Sequence, residues 1–178
     1  GSIKEGKTFR WGSDKIGWQF IADGTSLPQI ASETYDFVLS SNCLEHIANP
    51  LKALEEWKRI LKQKGVMIIV VPKKDNIFDH LRSVTPFEHL LEDYNSKTAE
   101  DDLTHLGEIL EFHDLSRDPL AGNFDNFKRR SLDNFKNRTL HHHVFNLETM
   151  SKMMEYIGLR CVQKTATKAE FFLLAVKD

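Results

Sequence analysis

Three short apolar runs in the first half of the chain predict β-strands. They are GWQFIAD (17–23), YDFVLSS (35–41) and VMIIVVP (66–72). Each is bounded by Gly, Asp, Ser or Pro and is apolar on both faces, which is typical of strands buried within a parallel sheet. The third run has the strongest strand composition, because five of its residues are β-branched.

An amphipathic helix is predicted between the second and third runs. Leucines and Trp57 recur there at spacings of three and four residues. Asn49 and Pro50 suit the cap and first turn of a helix, and KQKG suits a last turn that stops at Gly65. A strand, a helix and a strand in this order indicate an α/β protein with a parallel sheet.

The end of the chain predicts a second helix and a hairpin. The helix covers 146–158, with Asn146 as its cap and Gly158 as its stop. The apolar runs LRCVQKTAT and EFFLLAVKD follow, joined by a short polar link. Strands this close in sequence can only pair antiparallel, since a parallel pair needs a longer crossover.

The segment 73–145 separates these two parts and holds most of the histidines. It has no strong strand signal, and a helix is predicted over 101–113. A connection this long is typical of a cap over a functional site. We therefore predict a single domain over 1–178, with 73–145 as an insertion.

Composition narrows the function classes. The chain has 178 residues, 40% hydrophobic and 28% charged, with a formal net charge of −2. A global basic excess that would indicate nucleic-acid binding is absent, and so is an apolar run of membrane-spanning length. The two cysteines are far apart in sequence, so we expect a reducing, cytoplasmic setting.

Polar side chains follow the predicted strands at the edge where ligands bind in open α/β sheets. Asp23 ends the first run, and SSNCLEH begins the connection after the second. A strand-ending aspartate can accept from a ribose hydroxyl or an adenine amino group, but a structural role for Asp23 is an equal alternative. For His46, a backbone-bonded histidine at a helix entry is the alternative, and Cys43 is typical of a small buried residue.

The stretch IADGTSLP…TYDFVLSSNCLEHIANPLKALEEWKRILKQKGVMIIVVP resembles class I S-adenosylmethionine-dependent methyltransferases. The resemblance covers residues 20–72, and 145–178 more loosely. It implies a Rossmann-like methyltransferase fold whose sheet ends in an antiparallel C-terminal hairpin. The insertion resembles that of a subgroup of bacterial methyltransferases found with cell-surface polysaccharide genes. The implied reaction is methyl transfer from S-adenosylmethionine to a small-molecule or saccharide acceptor.

The resemblance also implies roles for individual residues. Asp23 and Gly24 match the segment that contacts the adenine. Ser41, Asn42 and Cys43 match the motif along the methionine part of the cofactor, and His46 matches a histidine that faces the active site. Proximity to a bound acceptor would let His46 remove its proton, so we predict His46 as the catalytic residue.

Polar residues of the insertion are predicted to bind the acceptor: His80, Arg82, His105, His113 and His143. A phosphate held by the arginines of FKRRSLDNFKNR is an alternative, as is a solvated charged face. A metal site is a further alternative, with Asp101, His105 and Glu108 on one predicted helix or with His141 and His143. The predicted site contains no metal.

One feature departs from the family pattern. The glycine-rich loop that should precede Asp23 is missing, since no two of the nine glycines are closer than five positions. The sequence starts GSIKEG without a methionine, so we expect an N-terminally incomplete methyltransferase domain whose cofactor binding is impaired. The alternative is a catalytically inactive methyltransferase-like module for binding or homodimerisation.

Overall fold

A computed structural model describes residues 5–11 and 15–178, so the Gly1-Ser2 start lies outside the described residues. The strands are β1 Thr8–Trp11, β2 Lys15–Trp18, β3 Tyr35–Ser41, β4 Leu61–Pro72, β5 Arg160–Ala166 and β6 Glu170–Val176. The helices are α1 Pro50–Ile60, α2 Phe87–Ser96, α3 Leu106–Phe112, α4 Phe124–Leu132, α5 Asn134–Asn137 and α6 Leu147–Tyr156.

Four strands form the main sheet in the order β3-β4-β6-β5. β3 and β4 are parallel and are joined through α1, as the strand–helix–strand pattern predicts. β4 pairs antiparallel with β6, and β6 pairs antiparallel with β5. The α/β class and the antiparallel C-terminal hairpin are confirmed, and within the described residues β3 is an open edge of the sheet.

The first predicted strand is wrong over most of its length. Only its beginning is extended, as part of β2, which forms a separate antiparallel hairpin with β1. Phe20 and Ile21 are exposed instead of buried between strands. Asp23 therefore does not end a strand of the main sheet; it forms an isolated bridge with Ser26. Within the residues that the structure describes, no strand of the main sheet pairs with this apolar run.

The end of α1 also differs from the prediction. The helix stops at Ile60 and β4 begins at once, so KQKG lies in the strand. A Cβ atom on Gly65 would lie 2.8 Å from the Lys62 carbonyl oxygen. Gly65 is thus required for a close backbone approach within β4, and it does not terminate the helix.

One face of the sheet carries the main core. Met67, Ile69 and Val71 of β4 are fully buried against α1 and α6. The two predicted helix caps are confirmed, because Asn49 accepts from the Lys52 N–H at 3.1 Å and Asn146 accepts from the Thr149 N–H at 2.8 Å. Each cap fixes where its helix begins and hence where the preceding loop leaves the sheet.

The opposite face of the sheet is open in the described part of the chain. Leu39, Ile68 and Leu174 are register neighbours and form an apolar row across it. Leu39 is 59% exposed, and Phe37 on the same strand is 63% exposed. A groove of ≈ 370 Å³ runs along this face beside β5 and β6.

The insertion folds as a helical layer with a small core of its own, formed by Ile109, Ala121, Phe127 and Leu140. The helix predicted over 101–113 is shorter than expected and begins at Leu106. Asp102 instead accepts hydrogen bonds from the backbone and hydroxyl of Thr104, which holds a turn there. His105 consequently precedes the helix.

Candidate active site

A cavity of ≈ 440 Å³ lies beside the carboxyl end of β3. Its wall is formed by Ile21, Ala22, Asp23, Gly24, Cys43, His46, Ile47, Glu100 and Arg138. Three parts of the chain supply these residues: the segment after β2, the β3–α1 connection and the insertion. The cavity thus brings together four of the residues predicted from the sequence, and the insertion closes one side of it.

The segment that carries Asp23 is held against α1 by side-chain bonds. Trp57 donates its indole N–H to the Gly24 carbonyl oxygen at 2.9 Å, and Glu56 accepts from the Leu27 N–H at 2.7 Å. A Cβ atom on Gly24 would approach Ile47 Cδ1 to 3.1 Å, so the backbone here lies close to the cavity wall. This packing places Asp23 at the cavity although it lies outside the main sheet.

Asp23 is bound from both sides. One carboxylate oxygen accepts from the Thr25 N–H at 2.8 Å and from the Thr25 hydroxyl at 2.7 Å. The other accepts from Arg138 Nη2 at 3.2 Å. Burial alone would raise the pKa of Asp23, but these bonds and the Arg138 charge outweigh it and lower the pKa below its ordinary value.

Arg138 also binds Glu100, so one guanidinium bridges two carboxylates in the cavity wall. Glu100 accepts in turn from the Ala48 N–H at 3.2 Å. Burial, followed by the nearby Asp23 charge, raises the pKa of Glu100. Two carboxylates and one guanidinium leave this wall acidic when all three are ionised. Neither Glu100 nor this use of Arg138 was predicted, because more than 70 residues separate them from Asp23 in sequence.

The β3–α1 connection turns sharply at Asn42. Its φ of 48° is left-handed, a conformation that asparagine adopts more readily than most residues. The Asn42 side chain donates to the Ser41 hydroxyl and to Glu170 Oε1, both at 3.2 Å, and neither Ser41 nor Asn42 lines the cavity. Cys43 does line it and is exposed, so it is not the small buried residue considered as the alternative. Partial desolvation of its thiol and the Glu45 charge raise the pKa of Cys43, which does not favour a nucleophilic thiolate.

His46 is held in one protonation form. Its Nδ1 lies 3.0 Å from the Leu140 carbonyl oxygen. Because a carbonyl can only accept, Nδ1 carries the proton and Nε2 remains the unprotonated nitrogen. Burial, the largest cause, lowers the pKa of His46 to about 4. His46 is therefore neutral near pH 7 and retains one ring nitrogen that can accept a proton or a hydrogen bond.

A buried histidine–aspartate pair lies behind His46. The rings of His46 and His141 are edge-to-face with centroids 4.5 Å apart. His141 Nδ1 is 2.5 Å from Asp79 Oδ2, and Arg82 Nη1 donates to Asp79 Oδ1 at 3.0 Å. Burial would raise the pKa of Asp79, but His141 and Arg82 more than compensate and lower it. Neither Asp79 nor His141 was in the site predicted from the sequence.

The residues predicted to bind the acceptor are not brought to this cavity. Arg82 is 2% exposed and uses its guanidinium inside the insertion, on Asp79, Glu108 and the carbonyl oxygens of His141 and His142. His80 pairs with Asp114 at 2.9 Å. His113 lies between the rings of Phe78 and Phe127. These surroundings are those of residues that hold the insertion together.

His105 and His143 occupy a different place. Together with His89 and Asp93 they form a compact cluster within the insertion. Asp101, His105 and Glu108 were considered above as metal ligands from one helix. Of these three, only His105 belongs to this cluster. The cluster is outside the wall of the ≈ 440 Å³ cavity.

The family comparison agrees with the sequence resemblance. Residues 9–69, about a third of the chain, match the model of the methyltransferase domain family. This range includes Asp23, Gly24, Ser41, Asn42, Cys43 and His46. The resemblance to class I S-adenosylmethionine-dependent methyltransferases is therefore confirmed, and S-adenosylmethionine is the cofactor that the match supports.

Two curated relatives are uncharacterized proteins of Methanocaldococcus jannaschii. One is 57% identical over 44 residues, which are 25% of this chain and 19% of the relative. The other is 43% identical over 56 residues, which are 32% of this chain and 27% of the relative. The matched parts thus span less than a third of either relative.

Solved structures of similar shape include two described as S-adenosylmethionine-dependent methyltransferases. The one from Aquifex aeolicus has 16% identity and a TM-score of 0.49, over 90% of this chain and 54% of that chain. The one from Methanosarcina mazei has 15% identity and a TM-score of 0.47, over 89% of this chain and 66% of that chain. The resemblance stated above rests on the family model, which matches residues 9–69.

None of the helices in the described residues is long and apolar enough to cross a membrane.

Proposed function

We propose that this chain takes part in S-adenosylmethionine-dependent methyl transfer to a small-molecule or saccharide acceptor at the ≈ 440 Å³ cavity. The observation that carries the proposal is that Asp23, Gly24, Cys43 and His46 line one cavity and lie within the residues that match the methyltransferase family. A volume of this size is ordinary for a small-molecule site.

The chemistry of the wall fits the cofactor. Ile21 and Ile47 offer apolar surface to an aromatic base, and Asp23 and Glu100 offer acceptors to amino and hydroxyl groups. Their negative charge also favours a cationic ligand. When bound, S-adenosylmethionine supplies an electrophilic methyl group on a sulfonium sulfur.

His46 would act on the acceptor. Its Nδ1 proton is committed to Leu140, so Nε2 is the nitrogen that accepts a hydrogen bond from an acceptor hydroxyl or amine and takes its proton. The histidine is neutral near pH 7, which keeps it from repelling a sulfonium ion. His141, oriented by Asp79, packs against the His46 ring and limits its rotation.

The insertion would close the acceptor side of the cavity. Its contribution within the wall is Glu100 and Arg138, and the guanidinium of Arg138 is suited to hydrogen bonds with sugar hydroxyls. The proposal includes a cytoplasmic setting, which the two free cysteines support.

Isothermal titration of the chain with S-adenosylmethionine tests the cofactor site. Because the glycine-rich loop is missing, we expect weak binding in the millimolar range, and sub-millimolar binding would show that the loop is not needed. Asp23→Asn should weaken binding about tenfold or more, because a hydrogen bond to a charged acceptor contributes about 1.5–3 kcal/mol. Asp125→Asn is the control, since Asp125 is exposed and outside the cavity wall. No binding at millimolar cofactor, or an equal effect of both substitutions, contradicts the proposal.

The catalytic role of His46 is tested by release of S-adenosylhomocysteine across a panel of saccharides and small alcohols. His46→Asn keeps a donor for Leu140 but removes the basic nitrogen, so turnover should fall about 10²–10⁴-fold while cofactor affinity is retained. Turnover equal to that of the unsubstituted chain would exclude His46 as the base.

A second candidate function is a catalytically inactive methyltransferase-like module that binds another protein surface or dimerises. The open apolar face with Leu39, Ile68 and Leu174 favours it. A dimer that forms without S-adenosylmethionine binding would support this candidate over methyl transfer.

A further inference from the structure

Four metal-ligating side chains from three separate parts of the insertion meet in one cluster. His89 and Asp93 lie one turn apart on α2, His105 directly precedes α3, and His143 lies in the extended segment before α6. One ligand atom from each of the four lies within 4.8 Å of the other three. More than 35 residues separate His105 from His143 in sequence, so the fold itself assembles the group.

The distances between the ligand atoms suit a tetrahedral ion. His89 Nε2 is 3.0 Å from His105 Nε2 and 3.3 Å from Asp93 Oδ2. His143 Nε2 lies 3.1 Å from the Ala48 carbonyl oxygen and donates to it, so Nδ1 is the nitrogen of His143 that is free to bind an ion. A tetrahedral zinc ion with bonds of about 2.0–2.1 Å requires ligand atoms about 3.3–3.4 Å apart. The two distances from His89 Nε2 lie within a few tenths of an ångström of that value.

The cluster contains buried polar atoms without partners. Asp93 is 7% exposed, and its Oδ2, which faces His89 and His143, accepts no hydrogen bond. His143 is 1% exposed, and its Nδ1 is likewise without a partner. Buried acceptors are rarely left unpaired, because their desolvation costs free energy. A bound cation would satisfy them.

The protonation of the cluster also fits a cation. Burial is the largest cause that lowers the pKa of His105 and of His143, so both rings are neutral and each has a nitrogen lone pair to offer. Three imidazoles and one carboxylate form the nitrogen-and-oxygen set that zinc accepts.

Surrounding groups orient the ligands. Asp93 Oδ1 accepts from the Thr98 hydroxyl at 3.0 Å, which turns Oδ2 toward the histidines. The outer nitrogens of His89 and His105 face Glu92 and Glu108 at 3.7 and 3.8 Å. Carboxylates and carbonyls in such positions are the usual outer partners of zinc-bound histidines.

We propose that His89, Asp93, His105 and His143 bind one zinc ion that links three parts of the insertion to one another. Four protein ligands complete a tetrahedral shell, which is the arrangement of a structural zinc and leaves no position for substrate. The ion would join α2, the start of α3 and the segment before α6. The proposal is independent of the methyl-transfer reaction.

Metal content of the purified, untagged 178-residue chain tests the site. The protein is incubated with zinc, freed of excess metal and measured by elemental analysis. We expect about one zinc per chain, falling below about a tenth in His89→Gln and in Asp93→Asn. His80→Gln is the matched control, because His80 is a histidine of the same insertion that pairs with Asp114 instead.

Folding is monitored in the same samples by circular dichroism. His89 is 34% exposed at its side chain, so its replacement should leave the fold intact. The thermal midpoint of the unsubstituted chain should rise with added zinc, and that of His89→Gln should not. Less than about a tenth of a zinc per loaded wild-type chain, or equal zinc in a folded His89→Gln protein, overturns the proposal.

Discussion

His46 was predicted from the sequence as the catalytic residue, and the structure places it in the cavity wall. The LEH motif singled it out, and the structure adds its protonation form through the Leu140 carbonyl oxygen. Asp23, Gly24 and Cys43 were also predicted for the site from the sequence and line the same cavity. The sequence did not predict four further residues near His46: Asp79, Glu100, Arg138 and His141. Their distance from the LEH motif depends on how the 73-residue insertion folds over it.

The buried state of His46 makes stability depend on pH. In the unfolded chain His46 takes up a proton near its ordinary pKa of 6.5. In the folded chain it stays neutral until the pH falls to about 4. Between these values the unfolded state binds more protons, so acidification lowers the free energy of unfolding. The contribution of His46 is about 3 kcal/mol, lost as pH falls from about 6.5 to about 4.

His46→Asn isolates that contribution. Urea denaturation of the chelator-treated protein at pH 6.5 and pH 4.5 should show a smaller loss of stability for the variant than for the unsubstituted chain. The same loss in both proteins would mean that other groups account for the pH dependence.

At the scale of elements, the insertion depends on Arg82. Its guanidinium joins the turn that carries Asp79 to Glu108 on α3 and to the backbone before α6. Helix caps, by contrast, were predicted correctly because the cap and the helix it begins are sequence neighbours. The strand predicted at 17–23 was wrong over most of its length. A strand needs a hydrogen-bonded neighbouring strand, and the spacing of apolar residues does not show whether one is present.

Arg82→Met should destabilise the folded chain by about 3–5 kcal/mol, because it leaves the buried Asp79 charge without its guanidinium. Arg129→Ala is the control, since Arg129 is exposed and its replacement should change stability by about 0.5 kcal/mol or less. Both values come from urea denaturation at pH 7. Equal effects of the two substitutions would contradict a structural role for Arg82.

At the scale of the whole molecule, the sheet is covered on one face only within the described residues. The sequence predicted all four strands of this sheet at least in part, but it predicted burial on both faces. The local sequence pattern predicts Phe37 and Leu39 as core residues, but both are exposed. Their exposure depends on which elements pack against that face of the sheet, and the local pattern does not contain this information. Exposed apolar rows beside an open strand edge favour association between chains.

Leu39→Lys should therefore reduce concentration-dependent self-association, because a lysine on an edge strand opposes strand pairing. Sedimentation velocity over a range of protein concentrations measures the effect. Leu120→Lys is the control, since Leu120 is 93% exposed but lies in the insertion, away from the sheet. If the unsubstituted chain is monomeric at every concentration, the expectation that this face promotes self-association is wrong.

The Arg138 bridge between Asp23 and Glu100 has a consequence for the rate at which ligands enter. A ligand that takes hydrogen bonds from Asp23 must compete with a guanidinium that already occupies one of its oxygens. Entry would then wait for the insertion to release that contact, so the observed association rate should level off as ligand concentration rises. Added salt weakens an ion pair that is partly exposed to water, and moderate ionic strength should consequently speed entry even where it lowers affinity.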